Sequence, residues 1–475
     1  MNLSSTNRCL TRRSVLRAGL ASTAMLAAGP AVSARQAPAA TPTGPHPVAA
    51  QVEWLLAQIN AGGDGLTDEA IAGHLAPSFL TAAPSGKLVS LPTVVAQFRE
   101  LADALGELTL NQFAGDPAPS QTIAVVTAAD GAYYLIVSTE EQAPHRIIDA
   151  FVLPVVATEL PAVPTSWHEL DAGLAAQADE VNFLAAEIVD GDMLLIHALD
   201  ADAPLGVGST FKLYVLGELA RQIGRDEAAW EEELAIRTDW KGIASQGADV
   251  MAYEPDGTRH TLREYATRMM AISSNTATDH LIMRLGRQRV EAAMRDMGHA
   301  DPVAGLPLLT TREVYALQRV LPVDRMEAYI AAGEMERRAL LAGEIEGVDV
   351  APVHQLAWLR MRSLDPAVQW TASAADAARA MAALLDMARR PGLEPILDIL
   401  AQNPGIDPEA LGDAFTYVGF KGGTFPGVSN RTWLLRRADD RWFVVSAGLT
   451  DPAGRVDIQA PVPVIAGAFP LLAAV

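Results

Sequence analysis

Ser209-Thr210-Phe211-Lys212-Leu213-Tyr214-Val215-Leu216-Gly217-Glu218-Leu219 joins a hydroxyl and an amine to the opening of an apolar helix. Residues three apart on a helix are surface neighbours, so the Ser209 oxygen and the Lys212 nitrogen lie on one face within reach of each other. An amine kept partly neutral by burial and a second cation can take the serine proton and leave a nucleophilic oxygen. Free backbone N–H groups at a helix N-terminus favour the negative charge that then develops. The lysine is the informative member. Lys87, Lys212, Lys241 and Lys421 are the four lysines of a chain whose other 32 basic residues are arginine, and arginine does not give up its proton at working pH. One Ser-x-x-Lys pair alone is weak evidence and needs company.

Ile272-Ser273-Ser274-Asn275-Thr276-Ala277 stands 64 residues further on, between the apolar helix expected over Tyr265 to Ile272 and the start of another. A serine and a carboxamide at such a break can project into a cleft, the hydroxyl to pass a proton and the amide to hold a substrate amide. Ser-Ser-Asn-Thr also reads as an ordinary helix cap. The third element is Phe420-Lys421-Gly422-Gly423-Thr424. A lysine in an apolar strand followed by two glycines suggests a cation facing a site whose backbone is bare enough for a ligand to approach as an added strand; the alternative is a hairpin glycine pair.

Ser-x-x-Lys, Ser-x-Asn and Lys-x-Gly in that order, holding two of the four lysines, resemble the motif set of the penicillin-recognising serine enzymes, most closely class A β-lactamases. Ser273 to Asp279 is similar to that family's Ser-Asp-Asn segment and its continuation, and Thr258 to Ile272 to the helix leading into it. The resemblance covers residues 165–475, about two thirds of the chain. It implies Ser209 as acylated nucleophile, Lys212 as general base, Ser273 as proton shuttle and Lys421 as the cation for a substrate carboxylate. It also implies that Asn275 holds an acylamino group, that the backbone N–H groups of Ser209 and Thr424, beside Gly423, form an oxyanion hole, and that Arg431 assists with the carboxylate. No cofactor and no metal are implied.

The departures are specific. Ser274 replaces the aspartate of Ser-Asp-Asn, and Gly422 replaces the hydroxyl residue of Lys-Thr-Gly. No Glu-x-x-x-Asn occurs between Asn275 and Lys421, where the family carries its deacylating glutamate. Glu313 is nearest in position and is the candidate deacylation base, yet Thr310-x-x-Glu313 reads better as a capping box opening a helix over Val314 to Val320. A helical insertion is expected from Asp324 to Val368.

Working outward, the region from residue 165 reads as an antiparallel sheet flanked by helices, with an all-helical lobe between its N- and C-terminal strands: the α/β-lactamase fold that the resemblance implies. Strands are expected at Phe183 to Ile188, Met193 to Ala198 and from Thr416 onward, with a hairpin turning at Asp439-Asp440 and a closing helix over Pro463 to Ala474. Leu160 to Thr165 is the linker. Residues 48–160 form an α+β unit, helices on a curved antiparallel sheet, expected from helical spacing at Val52 to Ile59 and Val94 to Leu105. Strand-like runs follow at Thr122 to Thr127, Ala132 to Ser138 and Arg146 to Pro154. That pattern resembles the steroid isomerase and polyketide cyclase type. His74 and Asp149 are its candidate dyad, with surface or core roles the more ordinary reading.

Arg12-Arg13, the mildly apolar Ala18 to Ala28 and the small-residue end Val32-Ser33-Ala34 make residues 1–34 a twin-arginine signal peptide, and residues 35–47 a Pro-rich spacer. The protein is thus expected to be exported, periplasmic or extracellular, with no stable membrane span after processing. Cleavage removes Cys9, the one cysteine, so disulfides and thiolate metal sites are excluded; the nine histidines show no paired ligand spacing. With 36 basic against 57 acidic residues and a net charge of −21, a nucleic-acid partner is excluded. The expectation is an exported serine hydrolase acting through an acyl-enzyme on a small-molecule β-lactam or related amide or ester. An esterase or D-alanyl-D-alanine peptidase on the same scaffold, and a slowly acylating penicillin-binding or sensor protein, are the alternatives.

Overall fold

The computed structural model describes residues 47–82, 87–88, 90–113, 121–128, 131–140, 142–155, 161–242, 249–303, 305–348, 350, 368–406, 411–425, 427–452 and 456–475. The expected signal peptide and nearly all of the spacer lie outside these residues.

The N-terminal unit packs helices α1 (Pro47–Asn60) and α2 (Leu91–Leu105) on an antiparallel sheet of β1 (Thr109–Phe113), β2 (Gln121–Ala128), β3 (Gly131–Thr139) and β4 (Ile147–Val155), in the order β1-β2-β3-β4. Val52, Leu55, Ile59, Val94, Phe98 and Leu101 face Ala124, Val126, Leu135 and Val137 in one core. Each such apolar side chain contributes about 1.5–3 kcal/mol on burial. Strand β1 was not expected: the sequence places the change of period after Gly115. Its residues are exposed or half-buried as befits an edge strand, which erases the alternation that would reveal it. His74 stacks on Trp54 at 4.2 Å and its Nδ1 lies 3.0 Å from Gln51 Oε1; the side chain of Asp149 is outside the described residues.

The second unit opens with α3 (Trp167–Ala175) and the hairpin β5 (Glu180–Val189) and β6 (Asp192–Leu199). A helical lobe follows: α4 (Lys212–Ile223), α5 (Leu262–Ala271), α6 (Asn275–Leu285), α7 (Arg287–Asp296), α8 (Thr311–Tyr315), α9 (Val323–Ala331), α10 (Glu334–Leu340) and α11 (Ala374–Ala388). The chain then returns as β7 (Phe415–Phe425), β8 (Val428–Arg437) and β9 (Trp442–Thr450), closing with α12 (Pro461–Ala466) and α13 (Ala468–Ala473). The sheet order is β7-β8-β9-β5-β6, antiparallel throughout, so strands from both ends of this unit share one sheet. Leu434 and Val444 face the helical lobe, while Phe420, Trp433, Phe443 and Val445 pack under α3, α12 and α13.

Two boundaries differ from expectation. The helix expected over Val314 to Val320 is α8 followed by a π-helical turn, Ala316–Val320, and the closing helix is broken in two around Gly467. The insertion begins as expected with α9 and α10; residues 351–367 are not described. No described helix is long and apolar enough to cross a membrane.

Candidate active site

Ser209 sits on a short 3-10 turn, Gly208–Phe211, that runs into α4. Gly208 has φ +47°, and a Cβ there would stand 3.0 Å from the Thr424 nitrogen, so both conformation and space require glycine. Phe211 stacks on Trp370 at 4.1 Å, Val207 N donates to Trp370 O at 3.0 Å, and Trp370 Nε1 donates to Leu309 O at 2.9 Å. The turn is thereby clamped, with Ser209 half-buried in its middle.

Lys212 is fully buried. Its Nζ donates to Ser273 O at 2.6 Å, Ser273 Oγ at 3.1 Å and Asn275 Oδ1 at 2.9 Å. Burial pulls its pKa down to about 7, against the opposing pull of the Asp249 and Asp279 charges. Lys421 is buried on β7 and its Nζ donates to the same Ser273 Oγ at 3.0 Å and to Gly422 O at 2.6 Å. Burial first, then the Lys212 charge, lowers its pKa well below the lysine value. Ser273 Oγ thus sits between two lysine nitrogens.

Ser273 has φ +58°, a left-handed conformation that costs a non-glycine residue about 1–2 kcal/mol. It turns the carbonyl and the hydroxyl toward one lysine. The residue after it holds the strain: Ser274 N donates to Arg268 O at 3.1 Å, and Ser274 Oγ accepts from Ala277 N at 2.9 Å as the N-cap of α6. The cap reading of Ser-Ser-Asn therefore holds for Ser274, while Ser273 and Asn275 are bonded to Lys212.

Asp249 is the residue that sequence reasoning missed. Wholly buried, it accepts Ser274 Oγ at 2.6 Å and Asn275 N at 3.1 Å. A carboxylate thus stands at the N-terminus of α6, close to the position from which Ser274 has displaced one in sequence. It comes from a loop 25 residues earlier, with no periodicity or motif to announce it. Asp279 accepts Thr311 N at 2.8 Å, Thr311 Oγ1 at 2.8 Å and Arg312 N at 2.9 Å, tying α6 to the start of α8.

On β7, a Cβ at Gly423 would collide with the Val207 oxygen and the Ser209 nitrogen, so the strand backbone at Gly423-Thr424 lies directly against the nucleophile turn. That apposition brings the Ser209 and Thr424 amides to one side of the cleft, the arrangement an oxyanion hole needs. At Gly422 a Cβ would stand 2.7 Å from Phe420 Cζ, and Phe420 is itself packed on Trp433 at 4.9 Å; the missing hydroxyl residue has no room there.

Two expected residues lie apart from this cluster. Arg431 pairs with Gly422, so its side chain leaves the sheet on the face opposite Lys421, where Nη2 donates to Ile458 O at 2.9 Å. It is buried, its Nε has no hydrogen-bond partner, and no carboxylate pairs with it among the described residues. Burial lowers its pKa to about 10, still charged at neutral pH. Glu313 is likewise buried. It takes both Arg287 Nη groups at 2.6 and 2.8 Å and the Thr310 N–H at 2.7 Å, completing the capping box of α8. Its oxygens are occupied, and nothing joins it to Ser209 or Lys212 among the described contacts.

Lys212, Asn275 and Lys421 gather about Ser273, and the backbone of the Ser209 turn lies against Gly423; a buried lysine with a depressed pKa beside a hydroxyl is chemistry that acyl transfer can use. No three His, Cys, Asp or Glu side chains gather to hold a metal among the described residues. Comparison with known proteins matches residues 166–461 to the beta-lactamase enzyme family. Solved structures similar to the chain include a beta-lactamase from Sphaerobacter thermophilus, 18% identical over 65% of this chain and 99% of that one, with a TM-score of 0.45. A beta-lactamase from Chitinophaga pinensis is 14% identical over 65% and 98%, TM-score 0.43. A mutant of PBP-A in an acyl-enzyme complex with penicillin G is 14% identical over 66% and 100%, TM-score 0.43. Among curated proteins none matches.

Proposed function

We propose that this chain, which belongs to the beta-lactamase enzyme family, is a serine hydrolase that acylates Ser209 with a β-lactam or a related amide or ester. The observation that carries the reading is Ser273 Oγ held at 3.1 Å from Lys212 Nζ and 3.0 Å from Lys421 Nζ. In the neutral form Lys212 takes the Ser209 proton as Oγ attacks the carbonyl carbon. The Ser209 and Thr424 amides receive the oxyanion. As the C–N bond breaks, Ser273 Oγ gives its proton to the leaving nitrogen and is resupplied by Lys212, while Asn275 orients the acylamino group. Lys421 faces the position of the substrate carboxylate, while Arg431, on the other face of the sheet, takes no part in this reading.

The occupied state of Glu313 supports slow deacylation, as in an enzyme that turns over esters better than lactams or a protein that retains its adduct. Mass spectrometry after mixing with a penicillin tests both parts. An adduct on the Ser209 peptide supports the acylation reading, and its persistence over many minutes supports slow release; no adduct with any penicillin, cephalosporin or activated ester sinks it.

Export by the twin-arginine route belongs to the same proposal. Residues 1–40 fused to a reporter should carry it outward, and Arg12→Lys with Arg13→Lys should stop it; continued export by the paired variant would show the signal misread.

A further inference from the structure

Two buried polar side chains of β8, Ser429 and Arg431, leave the sheet on the face turned away from the catalytic lysines. Two residues apart on one strand, they share that face, with Cα atoms about 6.6 Å from each other. Ser429 is completely buried, and its Oγ has no hydrogen-bond partner among the described residues. Arg431 is 7% exposed, and beyond the bond from Nη2 to the Ile458 carbonyl its Nε–H is unpartnered too. No carboxylate pairs with this guanidinium: Asp457, in the segment between β9 and α12, turns Oδ1 to the Gln459 and Ala460 N–H groups at 2.7 and 3.0 Å. Burial lowers the Arg431 pKa to about 10, with no charged neighbour acting on it, so the side chain stays a cation at neutral pH. A buried cation that keeps its proton and lacks a carboxylate is strongly unfavourable unless an anion accompanies it. One positive charge calls for one negative charge. A phosphate or sulfate would bring a second charge and several oxygens against Ala447 and Leu449, the buried apolar neighbours of Arg431 and Ser429 on β9, which offer them no donor.

We propose that Arg431 Nε and Ser429 Oγ bind a monovalent inorganic anion of the halide class, chloride first among them, on the face of the sheet opposite Lys421. The hydroxyl and the Nε–H both donate to the ion, and the ion neutralises the guanidinium where no carboxylate does. The site is separate from the acylation chemistry and stands or falls without it.

The test melts the full chain in sodium chloride and in sodium gluconate at equal ionic strength, so that screening is the same in both. An ion that binds the folded chain alone should raise the midpoint in chloride by about 2–4 °C. Arg431→Met should abolish the difference between the salts, and Ser429→Ala, which keeps the strand and the charge, should cut it by about half or more. Equal midpoints in the two salts overturn the proposal, and so does a difference that Arg431→Met retains. A full difference in Ser429→Ala refutes the two-donor site. Crystals of the full chain grown in sodium bromide give a second readout that needs no variant. Anomalous scattering should place bromide within hydrogen-bond distance of Arg431 Nε and Ser429 Oγ; a water there, or bromide at other places alone, overturns the proposal even where chloride stabilises the chain. Should Arg431→Met not accumulate, Ser429→Ala and the bromide position decide.

Discussion

Two buried charged corners of the catalytic unit are built to opposite ends. Around Ser273, two lysines converge on one hydroxyl with no carboxylate paired to either nitrogen among the described residues, and the strain of a left-handed serine is held by its neighbours. Around Glu313, a carboxylate and Arg287 face each other with every oxygen engaged, and the same carboxylate closes a helix cap. Uncompensated charge stores reactivity, because a proton there is loosely held; compensated charge stores stability. Under the proposed acyl-enzyme cycle, the groups assigned to acylation are the ones equipped for chemistry, while Glu313, the candidate deacylating acid, is committed to holding the fold.

The largest effect expected is on the first corner. Ser209→Ala should abolish covalent labelling by a fluorescent penicillin with the fold intact by circular dichroism, and normal labelling would end the assignment. Lys212→Arg keeps charge and loses titration, so acylation should fall by about 10²–10⁴-fold. Wild-type acylation should rise with pH and level off above about 7, since only the neutral amine accepts the proton and its pKa is depressed to about 7. The stability cost of that depressed pKa is complete below about pH 7 and fades as pH rises toward the ordinary lysine value, because the unfolded chain holds the proton more tightly. A flat profile between pH 5 and 9 would deny Lys212 the role.

Asp249→Asn sharpens the contrast by removing a charge that raises the Lys212 pKa. The midpoint of the pH profile should move to lower pH, and stability should drop by about 1–3 kcal/mol from the lost charge-assisted bonds to Ser274 and Asn275, read from denaturant midpoints. A shift to higher pH would contradict the electrostatic account. The smallest effect on activity belongs to the second corner. Glu313→Gln should cost about 2–3 kcal/mol by leaving Arg287 only the more distant Glu346 carboxylate at 3.5 Å, with steady turnover within a few fold and acylation untouched. Collapse of turnover with intact acylation would make Glu313 the deacylating base after all and erase the contrast.

What could be read in the sequence was whatever is local or repeated. Strand alternation gives the hairpin through Asp439-Asp440, and three short motifs pick out Lys212, Ser273, Asn275 and Lys421, of which the structure bonds Lys212 and Lys421 to the Ser273 hydroxyl and Lys212 to Asn275. Thr310-x-x-Glu313 was legible as a cap for the same reason: both partners lie within one turn. Asp249 was not, because its bonds to Ser274 and Asn275 cross a loop and depend on tertiary position alone. The side of the sheet that Arg431 takes follows from register with Gly422, a long-range property that spacing from Lys421 does not reveal. The edge strand Thr109–Phe113 was lost because half-exposed strands carry little apolar pattern.

The Phe420 ring beneath Gly422 sets an order on mutational history. A lone Gly422→Ser or Gly422→Thr, which would supply the hydroxyl absent from this Lys-x-Gly motif, must push aside an aromatic ring packed on Trp433, and overpacking of that kind costs about 1–3 kcal/mol. The same change made after Phe420→Leu has space to enter. Lineages that vary these two positions should therefore pass through the smaller residue at 420 before the hydroxyl appears at 422, and laboratory evolution toward carboxylate substrates should find the pair together or in that sequence.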